Sequence, residues 1–144
     1  METRGQSEQL AKVAHRLIDE EPELAYIKES QATIVYLISD QAKKSGKKAV
    51  FGECEKVPGK YKWGIPADFT ITFFEPNLSA QTTDRQLEIL MYHELLHVGI
   101  ETAKDGTENY YVRPHDLEDF KLIIDRFGTD WSAGMSNQPG EKDV

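Results

Sequence analysis

Residues 93–97 read His-Glu-Leu-Leu-His. This run constrains the chain more than any other, because its residues work together only on a helix. Residues four apart lie on one helical face, so His93 and His97 point the same way, with Glu94 beside them. The flanking sequence supplies the helix. Thr83 and Gln86, three residues apart, form a capping-box pattern. Leu87, Leu90, Met91, Leu95 and Val98 continue an apolar face, and Gly99 stands near its end. Two imidazoles so spaced present themselves to one metal ion. A glutamate next to them polarises a metal-bound water and passes its proton to a leaving amine. Zinc suits the role: it accepts nitrogen ligands, has no redox chemistry and keeps an open position in catalytic sites. The competing reading, a pair of histidines without metal, weighs less, because Leu95 and Leu96 mark a buried helix.

Catalytic zinc takes three protein ligands, and the chain has four histidines. His115 follows His97 by 18 residues, at the start of a last apolar helix. A helix–loop–helix return brings it beside the first pair. Its rivals are Glu101, Glu108, Glu118 and Cys54, and Glu118 is the serious one, since a helix-borne glutamate completes some zinc peptidase sites.

The remaining chain reads as one α+β domain over residues 1–131, followed by a polar, poorly ordered tail over 132–144. Leu10, Val13, Ala14, Leu17 and Ile18 make one helical stripe, capped by Ser7 and ended at Glu20-Glu21-Pro22. A short turn or helix follows around 23–29. Residues 33–39 suit a buried strand, 43–48 a solvated lysine turn, and 49–57 a second strand. Residues 69–74 alternate, with Phe69, Ile71 and Phe73 on one face and Thr70 and Thr72 on the other. Residues 101–113 read as a polar loop. A closing helix over 114–127 carries Leu117, Phe120, Ile124 and Phe127.

Net charge is −8, which disfavours general nucleic-acid binding. Charge is uneven: residues 41–62 hold seven lysines against Glu53 and Glu55. The lysines at 43, 44, 47, 48, 56, 60 and 62 are read as a charged hairpin edge, with binding of nucleic acid or an acidic partner as the alternative. No stretch is long and apolar enough to span a membrane, no apolar leader opens the chain, and the single cysteine excludes an internal disulfide. A cytoplasmic protein of a bacterium or phage-infected cell is expected.

Two subclasses are tested by counting. The metzincin pattern needs glycine at 100 and histidine at 103, where this chain has Ile100 and Ala103. Peptide deformylases pair this motif with an upstream cysteine. Cys54 lies 39 residues before His93 but stands in Gly52-Glu53-Cys54-Glu55, without the Glu-Gly-Cys element. Cys54 is read as a small strand residue.

The motif residues 93–98, the segment His115-Asp116-Leu117-Glu118-Asp119-Phe120, residues 52–61 and the strand from Asp68 resemble the putative phage metallopeptidase family over about residues 24–131. The resemblance implies a zincin-like minimal fold: a small, mainly antiparallel sheet with an N-terminal helix, the HExxH helix and a C-terminal helix. It implies His115 rather than Glu118 as third ligand. SprT-like proteases have a more distant similarity; there the third histidine precedes glycine, where this chain has Asp116.

The expectation is a zinc-dependent metallopeptidase with one Zn²⁺ per chain and a peptide or protein substrate. His93, His97 and His115 hold the metal, and Glu94 is the base. Tyr110, Tyr111 or Arg113 is a candidate oxyanion or substrate donor. Asp116, Glu118 and Asp119 are candidates to orient an imidazole. The 69–74 strand is a candidate to pair with extended substrate. Alternatives are a non-proteolytic zinc-binding module and a deformylase-like amidase using Cys54.

Overall fold

A computed structural model describes residues 2–59, 64, 66–78 and 82–114. Helix α1 (Glu8–Glu20) starts where Ser7 Oγ accepts the Leu10 N–H at 3.2 Å. It ends where Glu21 takes an extended conformation before Pro22. Leu10, Ala14 and Leu17 are its buried stripe. A 3₁₀ turn (Pro22–Leu24) leads into the short α2 (Ala25–Glu29).

Four strands make the main sheet, in the order β1 (Arg4–Gln6), β2 (Ile34–Ser39), β6 (Phe69–Phe74), β5 (Gly52–Lys56). Its outer pairs are antiparallel, and β2 runs parallel to β6. The fold is α+β, as expected, with mostly antiparallel pairing. Phe69, Ile71 and Phe73 enter the core with Tyr36, Leu17, Leu90 and Leu95.

Several local expectations change. Strand β6 lies inside the sheet, between β2 and β5, and Thr72 is fully buried with Arg4 Nη1 donating to its hydroxyl at 3.2 Å. Its edges are therefore already paired, so it is not the strand that receives an extended substrate; among the described residues β5 holds the edge on that side. Strand β1 was not legible, because its three exposed residues carry no apolar pattern and are held by main-chain pairing to β2.

The expected 49–57 strand is two: β4 (Lys48–Val50) pairs with β3 (Lys43–Ser45), and β5 pairs with β6. The break falls at Phe51, whose ring is buried in the core and whose carbonyl accepts the Phe74 N–H at 2.9 Å. The lysine turn is thus a hairpin turning at Gly46, φ +63°. Asn77 fastens its base: the side-chain amide donates to the Lys43 and Val50 carbonyls, each at 2.8 Å.

Helix α3 (Asp84–Leu96) begins with both bonds of the capping box, Thr83 N–H to Gln86 Oε1 at 2.9 Å and Gln86 N–H to Thr83 Oγ1 at 3.1 Å. Residues 89–96 are buried on every side, since the helix packs against α1, β5 and β7. The helix ends at Leu96 with His97 as its C-cap, and Val98, expected on its apolar face, already belongs to the next strand. Gly99 lies in β7 (Val98–Thr102), which pairs with β8 (Glu108–Val112). The supposed loop 101–113 is therefore largely a hairpin. Asp105-Gly106 is its turn: Asp105 Oδ1 accepts the Thr107 N–H at 2.9 Å, and Gly106 takes φ +88°. The closing helix and the tail fall outside the described residues.

Candidate metal centre

His93 and Glu94 sit in the buried part of α3, at 1% and 2% exposure. Burying ionisable groups is costly unless they are paired or hydrogen-bonded, and such groups beside a cleft mark a candidate functional site. His97, one turn on, is half-buried at the helix end. The two imidazole rings meet edge-to-face with centres 5.2 Å apart. Bonds of about 2.0–2.1 Å from two imidazole nitrogens to one tetrahedral metal require ring centres roughly 5 Å apart. The pair fits a shared ion.

The ring of His97 is fixed from behind. Its Nδ1 lies 2.7 Å from the Arg113 carbonyl. A carbonyl only accepts, so Nδ1 carries the hydrogen and, in the neutral ring, Nε2 carries the lone pair. The contact is reciprocal, since Arg113 N–H donates to the His97 carbonyl at 2.7 Å. The β7–β8 hairpin makes this possible, because its register carries Val112 back to Val98, and residue 113 to His97.

Glu94 and His97 open onto a cleft of about 240 Å³. Gly52, Glu53 and Cys54 of the β5 edge form one wall. Lys43, Ser45 and Val50 of the β3–β4 hairpin form another, and Val112 closes it. Gly52 matters for packing: a Cβ there would stand 3.2 Å from the Thr72 carbonyl oxygen and 3.5 Å from Glu94 Cγ. Cys54 is half-buried, and its thiol pKa is pushed up by burial first and by the charge of Glu94 second. Although it lines the cleft, Cys54 does not join His93 and His97 as a metal-holding group. Among the described residues no three His, Cys, Asp or Glu side chains are placed to hold a metal ion.

The residues beyond the motif are dispersed. The Tyr110 hydroxyl donates to Glu108 Oε1 at 2.7 Å, and its ring packs edge-on against Phe69. Tyr111 lies over Gly99, where a Cβ would come within 2.5 Å of its ring. Val112 lines the cleft, whereas Tyr110, Tyr111 and Arg113 do not. His115, Asp116, Glu118 and Asp119 lie outside the described residues.

Three supporting groups were missed: Gly52, the Arg113 main chain and Tyr26. The Tyr26 hydroxyl donates to the Val98 carbonyl at 2.6 Å, bracing the turn that holds His97. Burial pushes its pKa up to about 12. No local pattern marks these residues, since each acts through a distant segment.

The helix-borne histidine pair and the buried glutamate thus lie together at the end of α3, with Glu94 and His97 at a cleft beside the β5 edge. The chain belongs to the putative phage metallopeptidase family, whose family model matches residues 4–137. Membership makes it a metal-dependent protease by class. No curated protein and no solved structure matches the chain. No described helix is long and apolar enough to cross a membrane.

Proposed function

We propose that the protein hydrolyses peptide bonds with one zinc ion held by His93, His97 and His115. The observation that carries this reading is the mutual bond between His97 and the Arg113 main chain. It leaves the His97 Nε2 lone pair available to a metal and brings the chain back to His97 at Arg113, two positions before His115 in sequence. A two-residue step covers at most about 7 Å, which supports His115 as the proposed third ligand. The β7–β8 hairpin brings Arg113 back to His97.

Bound zinc supplies Lewis acidity and a water of lowered pKa. The chain's own residues do the rest. A Glu94 carboxylate oxygen takes the proton of the attacking water and delivers it to the leaving nitrogen. Its burial makes that transfer responsive to the reacting charges, because little water screens them. The β5 edge along the cleft offers main-chain groups to an extended substrate.

Metal content by elemental mass spectrometry, measured beside cleavage of an unstructured protein such as casein, tests the assignment. About one zinc per chain is expected in the native protein and in Glu94→Gln, with activity reduced at least about 100-fold in the latter. His115→Ala is expected to lose the metal. Retained hydrolysis in Glu94→Gln would overturn the role of the glutamate. Zinc retained in His115→Ala would move the third ligand, with Glu118 the next candidate.

A further inference from the structure

The β3–β4 hairpin stands apart electrostatically from the rest of the chain. It carries four lysines and no acid over residues 43–48, in a protein of net charge −8. Lys43 is engaged, forming an ion pair with Glu53. Lys44, Lys47 and Lys48 are exposed and make no ion pair among the described residues. The hairpin is also a wall of the cleft, through Lys43, Ser45 and Val50. The Asn77 amide bonds at its base hold it in that position.

Register sorts the lysines by face. Ser45 is opposite Lys48, and Lys43 is opposite Val50. Directly opposed residues share a face, and faces alternate along a strand. Lys48 therefore belongs to the face that lines the cleft, and Lys44, opposite Ala49, belongs to the other. Two residues of strand separate Lys48 from Val50, about 7 Å, the span of two residues of an extended substrate.

We infer that this hairpin reads substrate charge, selecting polypeptides that carry Asp or Glu a few residues to one side of the scissile bond. The inference rests on the peptidase reading above. An acidic polypeptide suits the surface better than a nucleic acid. The cleft itself carries Glu53 and Glu94, which repel a phosphate chain. A duplex with one charge per about 1.7 Å also needs a broader basic surface than one short hairpin. A peptide can place a single carboxylate at Lys48 and uncharged main chain along β5.

The test is equilibrium binding of zinc-supplied full-length Glu94→Gln protein, which separates recognition from turnover. Three fluorescein-labelled probes are compared by anisotropy at low salt: an alanine-based decapeptide with three glutamates, its glutamine counterpart, and a single-stranded oligonucleotide of equal charge. The acidic peptide is expected to bind about tenfold tighter than the glutamine peptide, with the preference shrinking as added salt shortens the screening length. Adding Lys48→Glu removes the preference and Lys48→Gln reduces it, whereas Lys44→Glu on the opposite face changes it less than about threefold. Equal affinity for the two peptides, equal effects of Lys44→Glu and Lys48→Glu, or tighter binding of the oligonucleotide would each overturn the inference. Parallel casein cleavage by the native protein distinguishes the two failures: absent turnover removes the peptidase reading, while the binding comparison still decides what the hairpin selects.

Discussion

At Gly52 the absence of a side chain lets β5 pack closely on the central strand beside the proposed catalytic base. A methyl group there is bounded by the Thr72 carbonyl at 3.2 Å and Phe73 Cδ1 at 3.3 Å, both parts of a paired central strand. Glu94 Cγ, at 3.5 Å, is in ordinary van der Waals contact. Gly52→Ala is expected to destabilise the fold by about 1–3 kcal/mol through overpacking against the central strand, read by chemical denaturation; unchanged stability would show that the strand yields without cost. Sequence showed glycine at 52 but not its reason, because Thr72 is 20 residues away along the chain.

Among elements, the turn from α3 into β7 carries the site, and Tyr26 of α2 braces it. Its hydroxyl reaches the Val98 carbonyl at 2.6 Å and the Leu95 carbonyl at 3.4 Å, satisfying groups that a helix end leaves over. Tyr26→Phe is expected to cost about 1–2 kcal/mol, read by chemical denaturation. The pH dependence has a definite sign. The phenol titrates near 10 when unfolded and at about 12 when folded. Its stabilisation is therefore complete below pH 10 and is lost as pH rises from 10 towards 12, because the unfolded chain releases the proton first. Tyr26→Phe should make stability fall less steeply over that window, where Tyr36 and Tyr110 are also shifted upward; an unchanged slope would assign the alkaline loss to other groups. Helix α3 itself was legible from its capping residues, since each bond spans three positions. The β7–β8 hairpin was not, although Asp105-Gly106 is a hairpin signal; the polar run around it hid strands that expose Glu101, Thr102, Tyr111 and Val112.

For the whole molecule, a metal bridging α3 and the segment after β8 would tie together parts of the chain that otherwise meet through hydrogen bonds. Binding to the folded state alone adds stability by mass action. Thermal melts with a strong chelator and with excess zinc are expected to differ by several degrees, the larger value with zinc. Zinc raises stability by about 2.7 kcal/mol when its free concentration is 100-fold above its dissociation constant. His93→Ala should remove the difference, whereas coincident melts in the native protein would speak against a metal link between these segments.

What the sequence determined by itself was chemistry of short range: a capped helix with His93 and His97 four residues apart and Glu94 beside His93, the stripe of α1, and the alternating strand 69–74. Helical and strand periodicities depend on neighbours a few residues apart, so they survive in a linear string. Only the tertiary structure decided which strand is the edge, why Gly52 must be small, that Arg113 fixes the ring of His97, and that Lys48 shares a face with the cleft-lining residues. Each of those is a pairing register or a close approach between distant segments, set by how apolar faces find one another when the core closes.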